Sequence, residues 1–381
     1  MPAFVINRDR PGSSHRPRRA LRAALAWAGA GLAAHANAYD PDARGATSSS
    51  SSDQLAIQVN NDRMTLAVAK VPQVYLYGRI DTDAPRRVDE LIKSGKIPPG
   101  SDIYLNATGG DMASGLALGR LFRAGSLATH LGVPRRTARM PIGPRAAQCI
   151  DACAYAYLGG LYRWAPTGND RFGVQRIGNT GAAVPDEVSA YLKDMGIRPE
   201  LVAAPATTPA GDVHWFDGDQ MMAGGLANNG RLPTTASYHP MIGATSLSLS
   251  QVARDGEHRI TLLCRPDGMT LTAYYMVGAE RSRKIAARIT HSYFEIDRQP
   301  TPQGERDGVA TVNQSLVFSH PVSVDQLGPL LSAHSMGAWL ADRGGAVRYG
   351  FALDLDAVRN NLRDYSASCR QLAKQTPPTH G

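Results

Sequence analysis

Residues 102–110 read Asp-Ile-Tyr-Leu-Asn-Ala-Thr-Gly-Gly, and this stretch decides the fold. Its first half has the composition of a short strand, predicted over 102–106, and the two glycines form a tight turn before a helical pattern over 111–124. Glycine has no Cβ and reaches positive φ, so backbone N–H groups at such a turn can face a ligand oxygen. Because a helix follows, the turn favours developing negative charge, and a plain tight turn is the alternative interpretation.

Strand and helix patterns alternate on both sides of this stretch. Strands are predicted over 74–80, 127–131 and 172–175, and a helix begins at Pro85. This alternation predicts an α/β fold with a mainly parallel sheet and crossover helices. In such sheets, sites collect at the carboxyl ends of the strands, where the glycine turn lies.

Five segments between residues 74 and 226 resemble motifs of the Clp protease proteolytic subunit (ClpP) and crotonase superfamily, in particular its exported, periplasmic branch. Their order and spacing over some 150 residues carry the resemblance. The segments are Tyr-Leu-Tyr-Gly-Arg-Ile-Asp at 75–81, Leu-Asn-Ala-Thr-Gly-Gly-Asp-Met-Ala-Ser-Gly-Leu at 105–116, Cys-Ile-Asp-Ala-Cys-Ala-Tyr-Ala-Tyr-Leu-Gly-Gly at 149–160, Arg-Phe-Gly-Val-Gln at 171–175 and Ala-Tyr-Leu-Lys-Asp-Met-Gly-Ile at 190–197.

The resemblance implies an oxyanion hole at Gly109 and Gly110. It places Asp151 where the family has its serine nucleophile and Gln175 where the family has its histidine base. An aspartate has no hydroxyl proton to give up in attack, and a glutamine amide cannot act as a base. Losing a triad member typically removes several powers of ten in rate, so we expect the family's hydrolase chemistry to be absent.

Two interpretations of Asp151 remain open. As a carboxylate at a helix start, it is expected to cap the helix by accepting backbone N–H bonds, which would lower its pKa. Alternatively it is itself a carboxylate nucleophile or base, as in some crotonase-type enzymes that resemble this fold. Ser114 has no histidine placed by sequence to activate it, and His130 is expected to be a packed or rim histidine. No third member of the former triad can be assigned.

The formal charge of +8 is concentrated at the amino terminus. Residues 1–38 carry six arginines and one acid, a net of +5, which leaves about +3 for the rest and argues against nucleic acid as a partner. The arginines precede a short apolar run and an Ala36-Asn37-Ala38 site, which predicts a signal peptide over 1–38 and a periplasmic or secreted protein. A serine-rich linker is predicted over 39–54, and no stable membrane insertion is expected.

Four cysteines in an exported chain predict disulfides. We expect Cys264 to pair with Cys369, which would close a long loop and stabilise the fold by roughly 4 to 5 kcal/mol. A bond between Cys149 and Cys153 is open, provided that the segment between them is not a regular straight helix. No histidines stand near either pair at ligand spacing, so neither a metal nor another cofactor is expected.

The chain is predicted to contain a ClpP/crotonase-like domain over 55–227 and an accessory domain over 240–375. The second region is expected to be a small α+β domain rich in antiparallel strands, with a hairpin around Asp267-Gly268, a capping box at 323–326 and a closing helix over 354–368. It contains no catalytic constellation.

Three functions follow as hypotheses. The first is an exported, catalytically inactive ClpP-like protein that binds a peptide, protein or other carbonyl ligand in the former active-site groove. The second is an active hydrolase or crotonase-type enzyme that uses Asp151. The third is a structural assembly element, since the superfamily commonly forms trimers or rings, so that homo-oligomers are expected.

Overall fold

The computed structural model describes residues 53–134, 146–175, 185–203, 207–241, 244–265, 268–301, 304–305, 309–323 and 327–375. The predicted signal peptide, nearly all of the linker and most of the predicted capping box lie outside these residues. The chain is a mixed α/β protein with one largely parallel sheet followed by antiparallel sheets. Within the described residues, no helix has the length and apolar character needed to span a bilayer.

The first sheet has eight strands. They are β1 (Ala56–Asn60), β2 (Gln73–Ile80), β3 (Asp102–Gly110), β4 (Ala128–Leu131), β5 (Gln148–Ile150), β6 (Tyr162–Arg163), β7 (Arg171–Gln175) and β8 (Val213–Phe216). The order is β1-β2-β3-β5-β7-β8, with β4 beside β3 and β6 beside β4. The outer pairs β1/β2 and β7/β8 are antiparallel, and all other pairs are parallel.

Helices connect these strands, as the alternating pattern predicts. They are α1 (Arg63–Ala69), α2 (Ala84–Lys93), α3 (Met112–Ala124), α4 (Ala152–Leu158), α5 (Asp186–Asp194) and α6 (Gly218–Ala223). Every residue of α4 is buried, because α3 and neighbouring strands cover it. Strand β3 runs further than the predicted 102–106: it continues through the two glycines, because Gly110 still pairs with Ile80 of β2.

The second half of the chain contains two antiparallel sheets. The larger consists of β9 (Thr235–Met241), β10 (Ala244–Ala253), β11 (Gly256–Arg265), β12 (Gly268–Met276), β16 (Ala310–Val312) and β17 (Ser315–Val322). The smaller consists of β13 (His291–Ile296), β14 (Gln299–Pro300), β15 (Gly304–Glu305), β18 (Ser335–Ala341) and β19 (Arg348–Asp354). Helices α7 (Ala279–Ala286), α8 (Leu327–Leu330) and α9 (Arg359–Gln375) complete this half.

One sequence prediction for this half needs correction at the residue level. The closing helix does not begin at Asp354: a short 3₁₀ turn over Asp356–Val358 precedes α9. The apolar side chains of this segment, Leu355, Val358 and Leu362, are all buried. The predicted β11/β12 pairing is also present, from His258 opposite Tyr275 to Arg265 opposite Gly268.

The expected Cys264–Cys369 disulfide is not formed. Both cysteines are buried free thiols. Burial, together with the hydrogen bond and the charge interaction between the two thiols, raises the pKa of Cys369. Because disulfide formation requires a thiolate, the Cys369 thiol is poorly disposed to react.

The described residues form two hydrophobic cores, and the turn between β10 and β11 contacts the first of them. The first lies around the parallel sheet, with Leu76, Ile103 and Phe122 fully buried, and the second lies in the antiparallel half. Arg254, in the turn between β10 and β11, crosses to the first sheet and pairs with Asp102 at the start of β3. The same guanidinium also donates to the Gly100 carbonyl at 3.2 Å and lies over the Trp164 ring.

Candidate functional site

The predicted site residues lie at the carboxyl ends of three neighbouring parallel strands. Thr108 of β3 pairs with Ile150 of β5, which pairs with Gly173 of β7. Gly109 and Asp151 directly follow the first two of these residues, and Gln175 ends β7 two residues after Gly173. The sheet therefore brings together the positions that the sequence motifs single out.

Asp151 sits in a sharp turn between β5 and α4. Its backbone has φ 52° and ψ −112°, a conformation that L residues rarely adopt and that costs about 1 to 3 kcal/mol. The backbone N–H of Asp151 donates to the Gly173 carbonyl at 3.3 Å, and its carbonyl accepts from the Tyr155 N–H at 2.9 Å. These bonds hold the turn between the end of one strand and the first turn of the helix.

The predicted capping role of Asp151 is wrong. Its side chain makes no hydrogen bond to the N–H groups of α4, and instead Oδ1 accepts the backbone N–H of Gln175 at 2.7 Å. Burial raises the pKa of Asp151, and the hydrogen bond from Gln175 offsets only part of that effect. The structure thus reverses the expected direction of the pKa shift, because the partly buried carboxyl group faces the end of β7 rather than the helix.

Gln175 acts as a donor on both sides. Its backbone N–H bonds to Asp151, and its side-chain Nε2 donates to the Gly211 carbonyl at 2.6 Å, ahead of β8. An amide held in this way offers no basic nitrogen to a neighbouring hydroxyl group. Among the described residues, no histidine is hydrogen-bonded to Asp151.

The glycine turn is fixed by a close backbone contact. Gly109 and Gly110 have φ of +94° and +135°. A Cβ on Gly110 would lie 2.3 Å from the Ile80 carbonyl oxygen, whereas a Cβ on Gly109 would meet open space. Gly109 itself is buried, whereas Thr108 before it is exposed and Gly110 is partly exposed, so the turn reaches solvent on either side of Gly109.

A disulfide spans the Asp151 turn. Cys149 on β5 and Cys153 on α4 are bonded with a Cα–Cα distance of 5.1 Å, and both are fully buried. The sequence allowed this bond only if the segment between the cysteines is not a regular straight helix. The segment is a strand-to-helix turn, so this requirement is met. The bond fixes the residues on either side of Asp151.

The other sequence candidates have structural partners. The Ser114 hydroxyl and backbone N–H both donate to Asp111 Oδ2, at 2.6 and 2.8 Å, so Asp111 caps α3 in the way predicted for Asp151. His130 Nε2 lies 3.2 Å from Asp102 Oδ1, and its ring stacks between Tyr104 and Trp164. It pairs with Tyr104, six residues or about 20 Å along β3 from Gly110, so it is a packed histidine as expected.

Sequence reasoning missed two groups near the site. The Tyr155 side chain follows Asp151 by one helical turn, and burial together with the charge of Asp151 raises the pKa of Tyr155 to about 12. His214 on β8 pairs with Val174, next to Gln175, and burial lowers its pKa. The apolar sequence around Tyr155 does not indicate that its side chain lies near the charge of Asp151. His214 could have been found only by pairing β8 with β7.

The described residues contain no group of three or more histidine, cysteine, aspartate or glutamate side chains placed to hold a metal ion. The donor set at the site itself is a single carboxylate, an amide that is already bonded and a glycine turn. In this arrangement the carboxylate accepts hydrogen bonds, and its protonated form can donate one to a carbonyl oxygen.

Comparisons with known proteins return structural neighbours only. No protein-family model matches the chain, and no curated protein matches it. One similar solved structure is a protein described as an enoyl-CoA hydratase from Streptomyces avermitilis, with a TM-score of 0.30, 14% identity, and coverage of 45% of this chain and 66% of that one, just under two thirds. Another is a point mutant of ClpP1 from Listeria monocytogenes, with a TM-score of 0.28, 13% identity, and coverage of 43% of this chain and 94% of that one.

Proposed function

We propose that this chain is an exported relative of the ClpP/crotonase superfamily that binds a carbonyl-containing ligand, such as an extended peptide, without hydrolysing it. The motifs that carry the family resemblance fall on the strand ends and the glycine turn of the parallel sheet. Gly109, Asp151 and Gln175 meet at the carboxyl ends of adjacent strands. Ligand sites of parallel α/β sheets lie at that edge.

One observation carries the proposal. Asp151 lies in a strained strand-to-helix turn, but its side chain has no hydroxyl group and no neighbouring base. A strained strand-to-helix turn is the device that presents a nucleophile above a sheet. Here the presented residue is a carboxylate, and the neighbouring Gln175 only donates hydrogen bonds. The strain therefore presents a binding group.

The raised pKa of Asp151 supports a carbonyl ligand. A higher pKa enlarges the protonated fraction of this carboxyl group at acidic pH, and a protonated carboxyl group donates a hydrogen bond. The glycine turn begins one residue beyond Thr108, which pairs with Ile150 directly before Asp151. A carbonyl oxygen placed between them would meet the protonated carboxyl group on one side and the glycine turn on the other.

The test restores the missing pair. We expect Asp151→Ser with Gln175→His to react with a fluorophosphonate probe, which labels activated serines. The unaltered protein and Asp151→Ser alone should not react, because neither has a base. Labelling of the unaltered protein would contradict the proposal, since it would reveal an active serine elsewhere. If the folded double variant is not labelled, the groove cannot activate a serine, and the proposal that it is a former active site would be contradicted.

A second candidate function is a crotonase-type reaction in which Asp151 is the general acid or base. It is favoured by two observations: the carboxylate is not engaged in capping, and burial raises its pKa toward the range useful for proton transfer. This function predicts turnover of acyl thioesters by the unaltered protein and its loss in Asp151→Asn, in protein that is folded and no less stable. Turnover that is unchanged in Asp151→Asn would exclude it.

Export is part of the proposal. The Cys149–Cys153 disulfide supports it, because such bonds are rare in reducing compartments. We expect the protein recovered from a secreting host to begin at Tyr39 in amino-terminal sequencing. An intact Arg-rich amino terminus on the mature protein would contradict the predicted cleavage.

A further inference from the structure

Tyr155 is a buried tyrosine beside the candidate site, and its hydroxyl group has no partner among the described residues. The residue is only 9% exposed. Two other buried tyrosines of the first half use their hydroxyl groups structurally: Tyr157 donates to the Trp164 carbonyl at 2.8 Å, and Tyr191 donates to the Tyr155 carbonyl at 2.7 Å. The Tyr155 hydroxyl bonds to no described residue, but it is not sealed from solvent. Because a buried tyrosine hydroxyl normally has a partner, this one is free to bind a ligand.

The geometry of α4 directs the Tyr155 side chain toward the Asp151 turn. Side chains lean toward the amino terminus of their helix, and α4 begins directly after Asp151. The backbone N–H of Tyr155 bonds to the Asp151 carbonyl at 2.9 Å, which fixes the two residues one helical turn apart. The charge of Asp151 also acts on the phenol, since it is a cause, after burial, of the raised pKa of Tyr155. The open hydroxyl group therefore lies at the end of the helix that carries the site.

Asp151 and Tyr155 offer opposite hydrogen-bonding groups at neutral pH. The ionised carboxylate only accepts, and because Oδ1 already accepts the Gln175 N–H at 2.7 Å, Oδ2 is left for a ligand. The phenol of Tyr155, whose pKa is raised to about 12, keeps its proton and donates. A ligand that satisfies both residues needs an N–H group for Asp151 and a carbonyl oxygen for Tyr155. The peptide backbone has both groups, whereas an ester or thioester has no N–H.

We propose that the ligand of the candidate site is a peptide backbone, whose carbonyl oxygen accepts from the Tyr155 hydroxyl and whose N–H donates to Asp151. This inference rests on the proposed binding function and specifies its ligand as an amide rather than an ester or thioester. Tyr155 supplies the donor for the carbonyl oxygen at the pH at which Asp151 is ionised. The sequence motifs do not single it out, because it stands in a helix whose residues are all buried.

Two tyrosine-to-phenylalanine variants separate a binding hydroxyl from a structural one. The probe is dansyl-labelled hexaalanine, and its affinity for the full-length chain at pH 7 is measured by fluorescence polarisation. Tyr155→Phe should weaken binding about tenfold, the effect of one lost hydrogen bond, and leave the melting temperature unchanged. Tyr157→Phe is the matched control: it should lower the melting temperature, because the bond to Trp164 is lost, and bind the probe as the unaltered protein does.

An ester analogue tests the assignment of the N–H group. Dansyl-labelled hexalactate has the same carbonyl groups as the peptide but an oxygen in place of each N–H. It should bind the unaltered protein about tenfold more weakly than the peptide at pH 7, since it cannot donate to Asp151. Tyr155→Phe should weaken the binding of both probes by the same factor. Equal affinities of the unaltered protein for peptide and ester would overturn the assignment to Asp151.

The remaining outcomes separate this inference from the binding function on which it rests. Equal peptide binding by the unaltered protein and Tyr155→Phe would overturn the inference and leave the binding function standing. The same result follows if the ester binds and the peptide does not. If neither probe binds the folded protein, both are overturned. Equal weakening in Tyr155→Phe and Tyr157→Phe would also overturn the inference, because the loss would then be structural.

Discussion

The ionised carboxylate of Asp151 opposes folding, because burial raises its pKa above the unfolded value of 3.8. The unfavourable contribution is present at neutral pH, declines as the pH falls through the folded pKa, and disappears below 3.8. We therefore expect Asp151→Asn to melt at a higher temperature than the unaltered protein at pH 7. Solvent screens this half-buried group, so the gain should be below about 1 kcal/mol. Thermal unfolding of both proteins at several pH values between 7 and 4 measures the difference between their melting temperatures, which should become smaller as the pH falls.

Asp111 provides the control of opposite sign. Hydrogen bonds from the side chain and backbone of Ser114 lower the pKa of Asp111, so its ionised form stabilises the fold at neutral pH. Asp111→Ala should cost about 1 kcal/mol as a lost helix cap, and the cost should shrink as the pH falls through the lowered pKa. If both substitutions changed stability in the same direction at pH 7, the assignment of Asp151 would be wrong.

These two aspartates show what the sequence could predict at this scale. Each stands directly before a helix, so composition favours a cap at both. The backbone differs: Asp111 is extended, with φ −73° and ψ 122°, whereas Asp151 has φ 52° and ψ −112°. The second conformation turns the side chain away from its own helix, and no property of the local sequence encodes that turn. The position of Asp151 was predictable, but its bonding was not.

At the level of elements, the two glycines that end β3 have different constraints. Gly109→Ala should cost about 1 to 2 kcal/mol, because alanine is strained at positive φ but has space. Gly110→Ala should cost more, since its Cβ would collide with the backbone of Ile80 and push β2 from β3. Chemical denaturation of the two variants measures which substitution lowers the free energy of unfolding more. A larger cost at Gly109 would contradict the register of β2 and β3.

The Cys149–Cys153 bond makes the strand-to-helix turn sensitive to reduction. A disulfide that closes so short a loop contributes about 2 kcal/mol in the chain-entropy model. We expect dithiothreitol to lower the melting temperature of the unaltered protein but not that of Cys149→Ala with Cys153→Ala. Cys264→Ala is the control: it lacks one buried free thiol and should remain sensitive to reduction. Insensitivity of the unaltered protein would show that the bond is not formed.

The alternation of strands and helices in the first half was predictable, because each element has a clear hydrophobic period. The ends of elements were not. The strand at 102–106 was predicted to stop before the glycines, but pairing with Ile80 extends it to Gly110. Glycine weakens a strand by local propensity, and a partner strand from elsewhere in the chain overrides that preference. The choice of disulfide failed for a different reason: the fold does bring Cys264 and Cys369 close together, but both remain buried free thiols, and the sequence does not show how burial affects a thiol.

For the whole molecule, the contact of greatest consequence is Arg254 with Asp102. Burial alone would raise the pKa of Asp102, but His130 and Arg254 outweigh burial and lower it. Arg254→Met should cost about 3 kcal/mol, because it leaves a buried carboxylate short of its cation. Asp102→Asn together with Arg254→Met should recover most of that loss. A double-mutant cycle in urea measures the coupling, and additive losses would contradict a direct pair.

No sequence pattern could predict this contact. Asp102 and Arg254 are 152 residues apart, and each has an ordinary local setting: a strand start and a hairpin turn. The inferred boundary near residues 228–240 separates two hydrophobic cores, but the ion pair connects across it. The ion pair therefore connects residues whose neighbours along the chain belong to different cores.

The same ion pair makes the parallel sheet depend on residues encoded far downstream. A chain truncated near residue 240 would keep His130 as a partner for Asp102 but would lack the guanidinium of Arg254. Its parallel sheet should therefore be less stable than that of the full chain, by about the 3 kcal/mol expected for Arg254→Met.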